Sequence, residues 1–275
     1  MIKLNGNVIN FKQFPNNEVM LDVTVLNYCK EDFTQSIMFK FDNDSTLMHL
    51  FLLKSFLTDN GFKDIDLVIS YMPYSRMDRV SDSYVFSLKY ITNFINSMNF
   101  SRVFVAESHS DVTPALLDRA INIILVEALL KNAVENTGFD PKVDYIYFPD
   151  VTAEKRYSKY CKAYTNQLIG MKDRDFATGN IIGITVIGDM PEYKDEPKPK
   201  VIMIDDLCSK GGTFIGGAKT LKEMGAGEIF LVVAHCENTV FHGSLLDGDY
   251  IEHVFTTNSI IEVQHQDRMT ISEIF

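Results

Sequence analysis

Cysteine is scarce and scattered: Cys29, Cys161, Cys208 and Cys236 lie far apart, and no C-x-x-C pair occurs. That spacing argues against a structural zinc site and a disulfide-stapled scaffold, and a reducing compartment would keep all four as thiols. Basic residues are also in short supply, with 26 Lys plus Arg against 37 Asp plus Glu and a formal net charge of -11. No sequence-wide basic field remains to hold DNA or RNA, so no nucleic-acid partner is expected. Long apolar runs are missing as well. The most apolar stretches, Leu47 to Leu53 and Ile121 to Leu130, are broken by His49 and Glu127 and fall well short of the roughly 18 residues of a membrane span. The opening Met-Ile-Lys-Leu-Asn-Gly shows no secretory h-region, and a cytoplasmic protein is expected. The chain also has no G-x-x-x-x-G-K-[ST] phosphate loop and no repeat of fixed period.

What is present is enough apolar sequence for a real core: 275 residues, 46% hydrophobic and 23% charged, a length that suits two medium domains. Short runs rich in Val, Ile and Phe recur, and helical-period segments lie between several of them. This is the pattern of an α/β protein with a mainly parallel central sheet flanked by helices. Strands are expected at Asp66 to Ser70, Arg102 to Ala106, Asp144 to Phe148, Ile182 to Ile187, Val201 to Ile204 and Ile229 to Ala234. Helices are expected at Tyr84 to Met98, Ala115 to Ala120, Thr152 to Ala163 and Thr213 to Met224, the last stopped by Gly225. The first fifty residues read as short alternating strands of an antiparallel edge. The polar stretch Asn132 to Lys142 reads as a crossover linker, which divides the chain into domains of residues 1–135 and 136–275. Met190 to Lys200, with Pro191, Pro197 and Pro199 among charges, reads as an exposed loop at a hairpin tip.

The sharpest chemical signal runs from Val201 to Thr213. A buried apolar strand delivers Asp205 and Asp206, then Ser209-Lys210-Gly211-Gly212-Thr213 turns into a helix. An open α/β sheet binds its ligand at the carboxyl ends of such strands. Glycines there let backbone N–H groups approach a phosphate, and the helix start adds partial positive charge. Two adjacent acids could hold sugar hydroxyls or a hydrated metal ion. The plainer alternative is that Asp205 and Asp206 only cap the turn.

This segment resembles the phosphoribosyl diphosphate loop of the phosphoribosyltransferase fold. Further segments in matching order make the chain similar to the ribose-phosphate pyrophosphokinases, over about residues 3 to 272. Phe14-Pro15-Asn16-Asn17-Glu18 resembles the family's Phe-Ser-Asp-Gly-Glu turn, which reaches the ATP adenine across a subunit interface. Pro73-Tyr74-Ser75-Arg76-Met77-Asp78-Arg79 is similar to the Pro-Tyr-Ala-Arg-Gln-Asp-Arg run beside ATP. Glu107-Ser108-His109 resembles Asp-Leu-His, whose His helps to bind magnesium, and Phe148-Pro149-Asp150 resembles Ser-Pro-Asp, which carries the other magnesium-side acid. Arg156 falls six residues later, as in the family. Met171-Lys172-Asp173-Arg174-Asp175 resembles the mobile Asp-Lys-Arg-Arg catalytic loop, and Val186-Ile187-Gly188-Asp189 matches Val-Ile-Gly-Asp.

The resemblance implies two tandem phosphoribosyltransferase-like domains that move the diphosphoryl group of ATP onto the anomeric hydroxyl of a ribose 5-phosphate moiety and release AMP. Lys172 and Arg174 would be catalytic; Phe14, Asn16, Glu18, Arg76, Met77, Asp78, Arg79 and His109 would bind ATP. Mg2+ would be the cofactor, held by His109 and Asp150. The ribose phosphate would lie on Asp205, Asp206, Ser209, Lys210, Gly211, Gly212 and Thr213. A turn that works across an interface implies a homo-oligomer. The residue types suit that chemistry, since phosphoryl transfer relies on positioning and on cations around the phosphates.

Some residues depart from the pattern. Where the family loop has Asp-Thr-Gly-Gly-Thr this chain has Ser209-Lys210-Gly211-Gly212-Thr213, so an acid is lost and a cation gained. Lys210 would suit further negative charge beyond the 5-oxygen, which makes ADP-ribose a candidate acceptor beside ribose 5-phosphate. Met77 replaces Gln and Asn16 replaces Asp, so adenine contacts would differ. Two rival readings are a phosphoribosyltransferase that consumes phosphoribosyl diphosphate and a catalytically silent regulatory paralogue.

Overall fold

The computed structural model describes residues 1–31, 33–81, 83–174, 181–191, 197–263 and 266–274. The backbone packs as two units, Met1–Ile124 and Leu125–Ile274. In the first, β1 (Ile2–Leu4) and β2 (Asn7–Val8) precede a hairpin of β3 (Phe11–Gln13) and β4 (Val19–Leu21). Then come β5 (Gln35–Phe39), α1 (Ser45–Asp59), β6 (Ile65–Ile69), α2 (Ser87–Ser97), β7 (Val103–Ala106), α3 (Val112–Leu116) and β8 (Ala120–Ile123). One sheet runs in the order β2, β1, β5, β6, β7, β8. Its last four strands are parallel, while β1 and β2 pair antiparallel at the edge. Leu50, Leu53 and Leu57 of α1 join the same core as Ile37, Ile65, Leu67 and Ile69.

The second unit holds α4 (Val126–Thr137), β9 (Tyr145–Phe148), α5 (Val151–Tyr157), β10 (Asn166–Arg174) and β11 (Ile181–Ile187). These are followed by β12 (Val201–Cys208), α6 (Gly212–Glu223), β13 (Ile229–Cys236), β14 (His253–Thr257) and β15 (Met269–Ser272). The strand order is β11, β10, β9, β12, β13, β14, β15, and every pairing is parallel except β10 with β11. The apolar strands are buried on both faces, as a helix-covered parallel sheet requires. Tyr145, Tyr147, Val201, Met203, Ile229 and Leu231 share one core with Phe214, Ala218 and Leu221 of α6. Their chain neighbours Ile146, Phe148, Ile202, Ile204, Phe230 and Val232 share the other with Val126, Leu129 and Ala133 of α4. Period-two alternation sorts the side chains between these faces.

The α/β class and the mainly parallel sheets are as expected, but several segments differ. The stretch read as a linker at Asn132 to Lys142 begins as the second half of α4, which ends at left-handed Gly138 (φ 63). The early alternating pattern gives way at Ser45 to α1. The helix expected at Ala115 to Ala120 is α3, ending at Leu116, and Ala120 already belongs to β8. The helix expected at Thr152 to Ala163 stops at Tyr157 and tightens into a 3-10 turn over Ser158–Tyr160. Met190 to Lys200 joins β11 to β12, which are separated by two strands. It is therefore a crossover connection and not a hairpin tip, and residues 192–196 lie outside the described residues. No helix among the described residues is long and apolar enough to cross a membrane.

Candidate functional site

Because β9, β12 and β13 are parallel, their carboxyl ends emerge on one edge of the second sheet. They deliver Asp150 just after β9, Asp205 and Asp206 near the end of β12, and Glu237 directly after β13. Asp150 caps α5: its Oδ1 accepts from the Ala153 backbone N–H at 3.0 Å. Its Oδ2 accepts from Lys172 Nζ at 2.9 Å. Burial alone would push this carboxyl up, but the Lys172 hydrogen bond, the helix N–H and the Lys172 charge outweigh it and hold the group below the usual carboxylate range.

Asp206 is paired with Arg156 Nη1 of α5 at 3.3 Å, and its backbone N–H donates to Asp205 Oδ1 at 2.9 Å. Asp205 behaves in the opposite way to Asp150. Burial first, then the charge of Asp206, raises its carboxyl well above the ordinary range, and Asp150 adds to the effect. The site thus gathers three acids and counters them with Lys172 and Arg156.

The Gly turn follows. Gly211 has φ 82, the left-handed region, and a Cβ there would lie 2.7 Å from Leu245 Cδ1; the chain itself demands glycine. Gly212 is different. A Cβ there would meet no atom within 4 Å beyond its own turn of helix among the described residues, so nothing in the packing of the chain requires a glycine at the first position of α6. Lys210 is exposed beside them.

In the first unit, Phe14 to Glu18 form the tip of the β3–β4 hairpin. Phe14 N–H donates to Glu18 O at 2.8 Å, Asn16 Oδ1 accepts from the Glu18 N–H at 3.2 Å, and Phe14 is 48% exposed. Arg76 and Arg79 are exposed, Met77 is half-buried and Asp78 is buried. Arg79 Nε donates to Asp78 Oδ1 at 3.1 Å. Tyr74 holds the turn in a left-handed conformation (φ 61), its hydroxyl donating to Asp44. His109 follows the carboxyl end of β7, where Ser108 is tied through its N–H to Asn122 Oδ1 at 2.9 Å and buried Glu107 sits at φ 40. Such a positive φ on a buried acid is sparsely populated backbone of the sort that clusters at functional sites. Structure therefore groups the expected residues into two sets, one in each unit.

Residues 179–274 match the family description "Phosphoribosyl synthetase-associated domain". A ribose-phosphate pyrophosphokinase of Pyrococcus abyssi is 30% identical over 241 residues, which is 85% of this chain and 79% of that protein. The chain belongs to the ribose-phosphate pyrophosphokinase family. A second member, from Prochlorococcus marinus, is 29% identical over 222 residues, covering 79% of this chain and 64% of its own length. The fold agrees: the crystal structure of phosphoribosylpyrophosphate synthetase from Mycobacterium smegmatis superposes with a TM-score of 0.74 at 17% identity, over 97% of this chain and 86% of that one.

One expected feature changes character in this chain. Met171 to Arg174, read as a mobile loop, are the end of strand β10. Lys172 pairs with Ile184 and Asp173 with Gly183 of β11 before the register shifts at Arg174. Apolar residues in the facing strand and the antiparallel ladder explain this, since a hairpin satisfies backbone groups that a loop would leave to water. Asp175, the last residue of that motif, lies outside the described residues.

Hard carboxylate oxygens suit Mg2+, which binds through one or two carboxylates and leaves its other positions to water and phosphate oxygens. The second unit offers such a set in Asp150 and its acidic neighbours. Among the described residues no group of three His, Cys, Asp or Glu is arranged to enclose a metal ion. One residue was not legible from sequence: Glu237, whose carboxylate accepts from the Ser209 hydroxyl and from Thr239 Oγ1 at 3.1 Å.

Proposed function

We propose that the chain transfers the diphosphoryl group of ATP to the anomeric hydroxyl of a ribose 5-phosphate moiety and releases AMP. The observation that supports this most is the meeting, on one sheet edge, of the Asp150–Lys172 pair with the Asp205–Asp206 pair and the open first turn of α6. In this reading Asp205 and Asp206 accept the sugar 2- and 3-hydroxyls. The N–H groups of Gly211, Gly212 and Thr213 take the 5-phosphate, helped by the partial positive charge of the helix start.

Lys172 and Arg174 carry charge for the phosphates of ATP. Arg76 and Arg79, exposed cations of the first unit, are assigned to ATP with Phe14, Asn16, Glu18, Met77, Asp78 and His109. Mg2+, when bound with Asp150 and His109 as protein ligands, would neutralise charge on the transferred group. The anomeric oxygen attacks the β-phosphorus in line, the bond from that phosphorus to the oxygen it shares with the α-phosphate breaks, AMP departs, and the hydroxyl proton is released to water. Positioning and charge, not a strong base, supply the rate.

Lys210 is an exposed cation next to the Gly turn and would suit further negative charge, so the acceptor class includes 5'-extended forms such as ADP-ribose as well as ribose 5-phosphate. The exposed Phe14 turn supports a homo-oligomer, and the free cysteines suit a cytoplasmic setting. The test is AMP release from ATP and Mg2+ with each acceptor, with mass spectrometry of the product. A diphosphorylated acceptor with matching AMP is the expected result. AMP with neither acceptor would replace this reading by a silent paralogue.

A further inference from the structure

The chemistry proposed above leaves one acid at the same sheet edge unused. Cys208 and Cys236 are register partners on β12 and β13, and the Glu237 N–H donates to Cys208 O at 2.8 Å. Ser209 and Glu237 therefore leave the sheet side by side. The Ser209 hydroxyl donates to Glu237 Oε2, and Thr239 Oγ1 donates to the same oxygen at 3.1 Å.

The chain after Glu237 continues to back the Gly turn residue by residue. A Cβ at Gly243 would lie 2.3 Å from Lys210 O, and one at Gly211 would lie 2.7 Å from Leu245 Cδ1. Residues 209, 210 and 211 are each set by a residue of the segment from Glu237 to Leu245. Gly243 is thus a glycine because the Lys210 carbonyl occupies the space of its side chain.

We infer that Glu237 is a positioning residue of the sugar-phosphate loop. The acid that position 209 lacks is restored from the neighbouring strand: Ser209 supplies the hydroxyl and Glu237 the carboxylate. The pair fixes the backbone from Ser209 to Gly211, and so the direction in which the N–H groups of the turn face a phosphate. A charge-assisted O–H···O⁻ bond is among the stronger anchors available to a loop. Glu237 touches no substrate in this scheme; it acts through Ser209. The functional part of this inference rests on the proposed reaction, while the anchoring does not.

The test compares wild type with Glu237→Ala, Glu237→Gln, Ser209→Asp and the exchange Ser209→Asp with Glu237→Thr. KM values are measured for ATP and for whichever of ribose 5-phosphate and ADP-ribose the wild type uses, and hydrogen exchange is followed in residues 208–213. Glu237→Ala should raise the sugar-phosphate KM about tenfold and leave the ATP KM unchanged, with faster exchange confined to the turn. Glu237→Gln keeps an acceptor oxygen and should stay within about twofold. Ser209→Asp alone sets two carboxylates against each other and should be worst, and the exchange should return KM and protection toward wild type, as coupled neighbours do.

Equal shifts in both KM values, no shift in either, or an exchange no better than Ser209→Asp would overturn the inference. If the wild type turns over neither sugar, the proposed reaction fails, and hydrogen exchange still decides the anchor: unchanged protection in Glu237→Ala would refute it.

Discussion

The two glycines of the turn make opposite demands, and substituting each by alanine separates what the chain needs from what a ligand needs. Gly211 sits at φ 82 with Leu245 Cδ1 2.7 Å from where a Cβ would stand. A left-handed alanine costs about 1–2 kcal/mol, and forcing a methyl group against a packed leucine about 1–3 more. Gly211→Ala should lose roughly 2–5 kcal/mol by these two terms. Gly212 has no positive φ, and beyond its own turn of helix a Cβ there meets no atom within 4 Å among the described residues, so alanine there removes only freedom from the unfolded chain and should stabilise by about 0.4–1 kcal/mol.

If a phosphate approaches the first turn of α6, the same methyl group obstructs it. Gly212→Ala should therefore raise Tm by on the order of 2 °C while raising the sugar-phosphate KM about tenfold or more, with the ATP KM unchanged. Thermal unfolding without ligands and an AMP-release assay with acceptor varied are sufficient. A lower Tm would show that the chain does need glycine at 212. A higher Tm with an unchanged sugar KM would remove the phosphate from this turn.

Three other outcomes are expected. Lys172→Met should reduce kcat about 100-fold or more, as for loss of a group that stabilises transition-state charge. It should also cost about 1 kcal/mol of stability through the half-buried Asp150 pair; unchanged kcat in steady-state assays would refute the assignment. Asp205→Asn should raise Tm in magnesium-free buffer near neutral pH while impairing the reaction. The folded state holds the Asp205 carboxyl above its ordinary value through burial and the neighbouring acids, so its ionisation costs stability as pH rises from about 3.8 toward neutrality. The Tm gap between variant and wild type should accordingly close as pH falls back to that value, and a gap independent of pH would contradict the account. Finally, Tyr147 Oη is buried with no hydrogen-bond partner among the described residues, so Tyr147→Phe should be neutral or stabilising by about 1 kcal/mol, and clear destabilisation in thermal melts would reveal a partner.

The second unit was the more legible half of the fold. Val201 to Ile204 and Ile229 to Ala234 are uninterrupted apolar runs, and in the structure both are buried on both faces, the condition under which a strand reads as continuous. The second half of helix α4 reads as a linker because Asn132, Glu135 and Asn136 form a polar face, whereas the burial of Leu129, Leu130 and Ala133 beneath it emerges only in the fold. Helix α1 was hidden for the opposite reason. Met48 and Phe51 stay exposed while Leu47, Leu50 and Leu53 are buried, so the apolar residues show no clean period.

At the site, Asp150, Asp205 and Asp206 stood out through their place after or within an apolar strand. Glu237 could not stand out, because its partner Ser209 lies 28 residues away and only the parallel register of β12 and β13 brings them together. The strand at Lys172 was likewise invisible, since charged residues at a hairpin end look like any solvated turn.

The pairing of β10 with β11 changes how Lys172 can reach a phosphate. In a free loop the backbone could carry the ammonium group over many ångströms; on a laddered strand the Cα is fixed by its neighbours, and reach comes from the four-carbon stem alone. Lys172 then sits less like part of a closing lid than like a lever on a fixed pivot, its ammonium group resting on Asp150. In the proposed reaction Asp150 would hold Mg2+ as well, so a metal ion bound there would draw on the same carboxylate that pairs with the Lys172 ammonium group.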